Sequence, residues 1–490
     1  MTHQVVFRCD ASPTIGGGHV MRCLALAETM EETGWDVTFA SRPSTVETLP
    51  MLAQTGYALR QVTAALADEP DELTRLLPDG CDLLVIDNYG WDIARERDCR
   101  GWARNILVLD DVTGRNHDCD FLLDSAATDK LLYSNRVPGE AVVLTGPRHA
   151  LVRRAFVRQR VAAMARRRGE PVRSVLVSFG ATDPFNAAAI ALDALADTLP
   201  DALVTVAMSS HAPHLETLRQ RAGRKIRFAL DVTDMASLLA AADLAIGAAG
   251  GMAFERAALG LASVIVTLAD NQRNLGALLA SAGAVADAGP LDAGTSARLR
   301  HAISTLVEDA RRRDAMADAA AALVDGRGPR RVMSVLAGHE TLADRARIGL
   351  TLVEPEECDL ILTWQREPGA RRYSRNRQTP TAEEHRRWFE TTLASEERRL
   401  MMIRADDVPV GNLRLDRLAA APERYEVSII VSQAARGRGI ALAALRLARR
   451  LAPRAILDAV VHPRNTASLT VFRKAGYRHV ADDLYRSTPV

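Results

Sequence analysis

The 490-residue chain has almost no net charge: 62 Lys and Arg stand against 61 Asp and Glu. That balance gives no global drive toward nucleic acid. Cysteine is sparse. Its six copies, Cys9, Cys23, Cys81, Cys99, Cys119 and Cys358, form no C-x-x-C pair and no histidine ladder. This argues for reduced structural thiols and against a zinc or other metal site. No apolar run reaches the ~20 residues of a membrane span, and no basic-then-apolar leader opens the chain, so a cytoplasmic location is expected. Glycines near the N-terminus are not followed by Lys-Ser/Thr and do not keep Gly-x-Gly-x-x-Gly spacing, which argues against a Walker loop or a dinucleotide fingerprint. What is present is a globular composition, 48% hydrophobic and 25% charged. The length suggests about three globular units.

Residues 1–150 alternate short apolar runs with longer polar ones: 36–40, 82–87, 105–109 and 141–144 read as strands between helices. This rhythm predicts a parallel sheet covered on both faces, with ligands at the carboxyl ends of its strands. Polar residues stand at those ends: Asp10, then Asp87-Asn88-Tyr89, then Asp110-Asp111. The same residues suit turns and helix caps. The arginine-rich stretch 153–168 reads as a solvated linker helix before a second α/β unit over 151–338. There Ser174–Gly180, Leu244–Ile246 and Val264–Val266 read as strands, followed by Gly180, by Gly250-Gly251 with Glu255 in the next helix, and by Asp270-Asn271-Gln272.

The stretch from Arg8 to Arg22 organises the first unit. Val5–Phe7 ends a predicted strand, and Val20, Leu24 and Ala27 recur at helical spacing up to Gly34. Gly16, Gly17 and Gly18 therefore lie at a helix N-terminus, where bare backbone and free N–H groups favour an anion. His19 sits beside that anion. A tight turn with a capping histidine explains the same pattern.

Composition shifts at 325–329 and again after Gly338, and residues 349–490 form a third, α+β region. It holds 24 Lys and Arg against 18 Asp and Glu, a mildly basic balance that suits a polyanionic cofactor. A Thr-Ala-Glu-Glu cap opens a helix at 381–389. Strands are predicted at 350–353, 400–404, 411–415 and 425–431, the last with Glu426 near its start. Arg436-Gly437-Arg438-Gly439-Ile440-Ala441 then opens a helix to about Leu451, forming a cradle for a diphosphate. Asn465 initiates another helix, which carries Ser468 and Lys474 and ends in Lys474-Ala475-Gly476-Tyr477.

These two C-terminal motifs, in this order, resemble the GNAT family of acetyl-CoA-dependent N-acetyltransferases over roughly 140 residues. The resemblance implies that Arg436–Ala441, with Asn465, Ser468 and Lys474, hold acetyl-CoA, and that Glu426 is the general base or, alternatively, a cross-strand ion pair. Phe472 stands where the wider family often has a tyrosine acid, and Tyr477 and Tyr485 are substitutes more at home in a core.

The run Arg8-x-Asp10 to Gly18-His19-x-x-Arg22 resembles the nucleotide-sugar hydrolases of pseudaminic acid biosynthesis. Ile86-Asp87-x-Tyr89, Gly146-Pro147, Val177–Gly180 with Asp183-Pro184, Gly250-Gly251 with Glu255, and Leu268–Gln272 extend the match over both N-terminal units. That family is similar to the GT-B glycosyltransferases, which implies two Rossmann-like lobes and then the GNAT domain. It also implies hydrolysis of a UDP-linked diacetamido-trideoxy-L-altrose, with acetylation of a 4-amino UDP-sugar as the preceding step. His19 would activate water, and Asp10 could orient it. Arg22 and Gly180 fall in the matched runs, Gly16–Gly18 and Gly250-Gly251 would approach the nucleotide, and Glu255 would bind the ribose or else serve a helix dipole. Asp10, Tyr89, Asn271 and Gln272 would address the sugar. Asp120–Ala126 departs from the amide-rich loop that the resemblance implies there. A glycosyltransferase acting on another acceptor, or a binding or regulatory module, are the competing readings. Oligomeric state has no signal in the sequence.

Overall fold

The computed structural model describes residues 3–112, 114–221, 223 and 225–489. The chain divides into two compact units, Met1–Glu31 with Trp35–Pro329, and Glu32–Gly34 with Arg330–Val490.

In the first unit, the apolar runs form β1 (Gln4–Cys9), β2 (Asp36–Ser41), β3 (Ala58–Gln61), β4 (Leu83–Asp87), β5 (Ile106–Leu109), β6 (Phe121–Asp124) and β7 (Val142–Thr145). They build a parallel sheet in the order β3-β2-β1-β4-β5-β6-β7. Every residue of β4 and β5 is buried, as their unbroken hydrophobic runs require in a sheet covered on both faces. Within residues 120–126, the stretch that departs from the resembled family's amide-rich loop, Phe121–Asp124 forms a strand of this sheet. Asp124 caps the turn after it, accepting from the backbone N–H of Ala126 and Ala127 at 2.8 and 3.0 Å.

A second parallel sheet follows, made of β8 (Ser174–Ser178), β9 (Leu203–Met208), β10 (Ile226–Leu230), β11 (Leu244–Ala248), β12 (Ser263–Thr267) and β13 (Ala286–Pro290). Its order is β10-β9-β8-β11-β12-β13. Winding reverses at the same point in both sheets, between β1 and β4 and between β8 and β11, so each is a Rossmann-like lobe. The loops part at such a reversal and open a crevice at the strands' carboxyl ends. Gly247 lies at this reversal because the strands crowd there: a Cβ would stand 2.3 Å from Ser178 O.

The arginine-rich stretch is a helix, Arg154–Arg167, but it is not a solvated linker. Phe156 is fully buried. Arg167 donates to the carbonyls of Leu239, Ala242 and Leu259 at 2.9, 2.7 and 2.7 Å. Arg166 donates to Ala241 and Ala242 at 3.1 and 2.9 Å, and Arg160 to Val324 and Ala321 at 3.0 and 2.6 Å. These carbonyls end the helices Met235–Ala241, Met252–Ala258 and Ala310–Leu323. Helix C-termini carry orphan carbonyls and partial negative charge, so the guanidiniums serve as caps.

The second unit is built on a mixed sheet of β14 (Glu340–Thr341), β15 (Arg347–Leu352), β16 (Arg398–Ala405), β17 (Val408–Ala420), β18 (Glu423–Val431), β19 (Ile456–Val460), β20 (Arg478–Ala481) and β21 (Leu484–Ser487). The order is β14-β15-β16-β17-β18-β19-β21-β20. All pairs are antiparallel except β18 with β19, which the helix Ile440–Leu451 connects. That helix packs on one face with Tyr425 and Val427. Helices Cys358–Arg366 and Ala382–Ala394 cover the other through Trp364, Phe389 and Ile430. Thr381 caps the latter as its sequence predicts, accepting from Glu384 N at 3.2 Å while Glu384 accepts from Thr381 N at 2.8 Å.

Candidate active sites

In the first unit, the loop after β1 turns at Gly16, whose φ of 72° suits glycine and whose N–H donates to Ser12 O at 2.8 Å. The helix Gly18–Glu32 then begins, with His19 as its second residue. His19 Nδ1 lies 2.5 Å from Asp87 Oδ1, the last residue of β4. Asp87 also accepts two bonds from Arg22, each at 2.6 Å. Burial would push the Asp87 carboxyl up, but the charges of Arg22 and then His19 hold it well below the usual carboxylate range. An ionised Asp87 fixes the proton on Nδ1 and leaves Nε2 as the basic nitrogen.

The expected contact of Asp10 with His19 is not formed. Asp10 instead stands 2.7 Å from Arg8 and accepts from Arg42 N and Asn88 Nδ2 at 2.8 and 2.9 Å. It thereby braces the loops after β1, β2 and β4. Arg8 continues into a buried pair with Glu69, at 2.9 Å for both bonds, and Glu69 also takes Trp91 Nε1 at 2.6 Å. The residue that does orient His19, Asp87, shows in the sequence as a polar strand end and as part of the matched run Ile86-Asp87-x-Tyr89, neither of which names His19 as its partner.

Arg22 extends the network to Asp111 at 2.9 Å, and Asp111 accepts from the Tyr89 hydroxyl. The Tyr89 ring meets His19 edge-on at 4.6 Å. Asn271 Nδ2, after β12, donates to the Tyr89 hydroxyl at 3.1 Å, and Thr182 donates to Pro13 O at 3.3 Å. Loops from both lobes thus meet over His19. Gln272 accepts from Leu268 N at 2.9 Å and holds its own turn. Gly180 has φ 96° and open space beside it, as does the exposed Gly251; a Cβ on Gly250 would meet Gln272 Nε2 at 3.6 Å.

Glu255 sits one turn into the helix Met252–Ala258 and accepts from Arg153 Nε and Nη2 at 3.3 Å each. Burial raises its pKa, against the opposing charge of Arg153. Nothing in the sequence marked Arg153 as its partner. A second unforeseen cluster lies beneath β5: buried His117 joins Glu96 and Asp110 at 2.7 and 3.0 Å. Burial alone would lower the His117 pKa, but hydrogen bonds to Asp110 and Glu96 push it up to about 9.

In the second unit, β18 pairs with β19 only from Arg424 to Glu426, opposite Ile456 to Asp458. Beyond Glu426 the strands separate. At the far end of β18, the exposed loop Arg436–Gly439 leads into the helix Ile440–Leu451, with Gly437 and Gly439 at φ 81° and 88°. Ala441 is its second residue. The Gly437 position has no atom within 4 Å of a Cβ. Open backbone at a helix N-terminus beside two arginines fits a diphosphate. Arg436 and Arg438 pair with Glu367 and Asp344 at 3.3 and 2.7 Å.

Across the gap, Asn465 caps the helix Thr466–Lys474, accepting from Ser468 N at 3.2 Å; Lys474 ends that helix and is exposed. Glu426 faces the side opposite Tyr425 and is held by Arg375, at 3.0 Å for both oxygens. That pair comes from a loop and not from across the sheet. Tyr477 and Tyr485 lie in the core. Among the described residues no group of three or more His, Cys, Asp or Glu side chains could hold a metal, and no helix is long and apolar enough to cross a membrane.

Residues 347–478 match the acetyltransferase (GNAT) domain family. The second unit carries a GNAT domain. Its neighbour in the chain has other relatives. The UDP-2,4-diacetamido-2,4,6-trideoxy-beta-L-altropyranose hydrolase of Campylobacter jejuni is 27% identical over 288 residues, which cover 57% of this chain and 97% of that protein. The spore coat polysaccharide biosynthesis protein SpsG of Bacillus subtilis is 24% identical, covering 66% and 94%. MurG of Acinetobacter baumannii aligns with TM-score 0.49 at 16% identity, covering 68% of this chain and 99% of that structure. Two Rossmann-like lobes precede the α+β GNAT domain. A region similar to a hydrolase joined to a GNAT domain makes this chain an enzyme.

Proposed function

We propose that the first unit hydrolyses a UDP-linked 2,4-diacetamido-2,4,6-trideoxy-L-altrose to free sugar and UDP with inversion. The GNAT domain acetylates the 4-amino group of the UDP-sugar that precedes it, within pseudaminic acid biosynthesis. The hydrolase reading is carried by one observation: His19 presents Nε2 at the winding reversal while Asp87 holds Nδ1. Nε2 takes a proton from water, whose oxygen attacks the anomeric carbon as the bond to UDP breaks. UDP leaves as an anion, so the protein's task is charge stabilisation, for which the first turn of the helix at Gly18 and the loops at Gly180 and Gly250-Gly251 supply N–H groups. The imidazolium that forms is stabilised by Asp87, while Arg22 keeps that carboxylate ionised. Asn271 and Tyr89 address the sugar, and Glu255 the ribose.

For the acetylation, acetyl-CoA supplies an activated acyl group, with its diphosphate at Arg436–Ala441 and its chain in the gap flanked by Asn465, Ser468 and Lys474. Glu426 takes the proton of the attacking amine. Both substrates are UDP-amino sugars, and the product of one reaction is the substrate of the other.

The test is UDP release by the purified chain with no added acceptor. His19→Ala is expected to reduce it about 10²-fold or more, the usual range for loss of a general base. Strict dependence on a sugar acceptor would replace hydrolysis by glycosyl transfer, and near-normal release by His19→Ala would remove His19 from the chemistry.

A further inference from the structure

A cavity of about 450 Å³ opens in the GNAT domain between the sheet and the helix Ala382–Ala394. Its walls carry Arg375, Arg398, Arg414 and Arg417 together with Asp416 and Glu426. No carboxylate in it is free to receive a cation. Asp416 accepts from Arg414 Nε at 2.8 Å and lies 3.7 Å from Arg398, while Glu397 on the rim lies 3.5 Å from Arg417. Glu426 is taken by Arg375. Asp416 is thus shared by two arginines, and Arg398 keeps two-fifths of its side chain exposed.

The loop above the cavity points the same way. Residues 367–381 hold Arg371, Arg372, Arg375 and Arg377 against a single acid, Glu367. Glu367 is already engaged by Gln433 N at 2.8 Å and by Arg436 at 3.3 Å. Tyr373 packs on His462, just beyond β19, at 5.1 Å. The loop is therefore tied to both sides of the gap between β18 and β19, and its exposed Arg375 lines the cavity that contains Glu426, with Arg372 and Arg377 exposed on the same loop. A polyamine or another cationic acceptor would need spare carboxylates here. Forked guanidiniums with room between them match phosphate oxygens.

We propose that the cavity and the loop bind the phosphates of the acceptor, a nucleoside diphosphate carrying an amino sugar, and so present its amine to Glu426. This rests on the acetyl-transfer reading above and adds to it the part of the acceptor that is gripped. Arg398 and Arg417 do not touch Glu426, so their loss tests the grip and not the base.

In the full chain, Arg398→Ser combined with Arg417→Ser is expected to raise KM for a 4-amino UDP-sugar about tenfold or more, the scale of charge-assisted bonds to phosphate. KM for acetyl-CoA should stay unchanged, and the double Lys variant should recover part of the loss. An unchanged acceptor KM, or equal use of spermidine or of the free amino sugar by the native chain, overturns the proposal. If the native chain acetylates no amine, the acetyl-transfer reading falls, and equilibrium dialysis with labelled UDP decides the inference separately. Two UDP bound per native chain and one per Ser variant supports it; equal counts overturn it.

Discussion

Two arginine-rich stretches of this chain have opposite fates. In the helix Arg154–Arg167 the guanidiniums are consumed: Arg160, Arg166 and Arg167 end on carbonyls of three helix C-termini. In the loop 367–381, Arg372, Arg375 and Arg377 remain exposed, with one acid of their own segment and that acid used elsewhere. Composition does not separate the two. What separates them is the supply of acceptors around each, because a doubly wound lobe turns several helix ends toward one edge, whereas the loop over the sheet meets no helix end and finds a carboxylate, Glu426, for Arg375. A basic run is available to a ligand only where the fold has run out of partners for it.

The same contrast holds for the two candidate bases, His19 inside a closed network and Glu426 beside one mobile-length side chain, and it breaks most sharply at Asp87. Asp87→Asn would remove the carboxylate that pairs with Arg22 and, through its amide N–H, would favour the wrong His19 tautomer. UDP release is expected to fall by ~10²–10⁴, or about 3–5 kcal/mol of barrier. UDP binding measured alongside separates this from loss of the fold. A rate within twofold of native would mean that the network is a brace and nothing more. Next in size is Arg167→Met, which strips two helix ends of their shared donor in a partly buried setting. Bonds to a charged donor contribute ~1.5–3 kcal/mol each without adding fully, so a loss of about 3 kcal/mol in urea unfolding of the first unit is expected. A change under ~0.5 kcal/mol would return the helix to the status of a solvated linker.

Much of this could be read from residues in advance, and the exceptions have one cause. Strand ends and helix starts follow local rules, so β1, β4, β5, β8, β11 and β12, the helix after Gly18 and the Thr381 cap stand where pattern and capping chemistry put them. The loops at Gly16–Gly18, Gly250-Gly251 and Arg436–Gly439 fall at winding reversals or helix N-termini for the same reason. Partnerships across sequence distance were not available to such rules. Asp87 with His19, Arg153 with Glu255 and Arg375 with Glu426 join residues 68, 102 and 51 positions apart. Asp10 was the plausible orienter by proximity in sequence. Its oxygens went to Arg8, Arg42 and Asn88 because β2 and β4 flank β1, and that order is a property of the sheet. The role of the arginine helix is long-range in the same way, since helix ends elsewhere in the chain decide it.

The buried His117 cluster gives a smaller and pH-dependent effect. Glu96 from the helix Ile93–Asp98 and Asp110 at the end of β5 hold its two nitrogens, and Arg115 lies 3.3 Å from Asp110. Its pKa in the fold is about 9, above the ordinary value of 6.5. The folded state then holds a proton that the unfolded state releases between those values. This contribution is complete below pH ~6.5 and is lost as pH rises through about 9, with a slope of at most ~1.4 kcal/mol per pH unit. Urea midpoints taken from pH 6 to 10 should fall accordingly. His117→Gln should flatten that slope while lowering stability at pH 6, and an unchanged slope would assign the proton to another group.

The smallest expected effect is on the loop side of the comparison. Arg372 and Arg377 are exposed, so replacing both by Ser should move the urea midpoint of the second unit by less than ~0.5 kcal/mol, as for ordinary surface positions. They share the loop whose Arg375 lines the cavity, so their field is expected to act on an approaching anion at low salt and to be screened beyond ~10 Å at 0.1 M. KM for the UDP-amino sugar should therefore rise about two- to fivefold at low ionic strength and converge on the native value as salt is raised. A loop that behaves like the arginine helix would give the reverse pattern, a loss of stability with no salt-dependent change in KM.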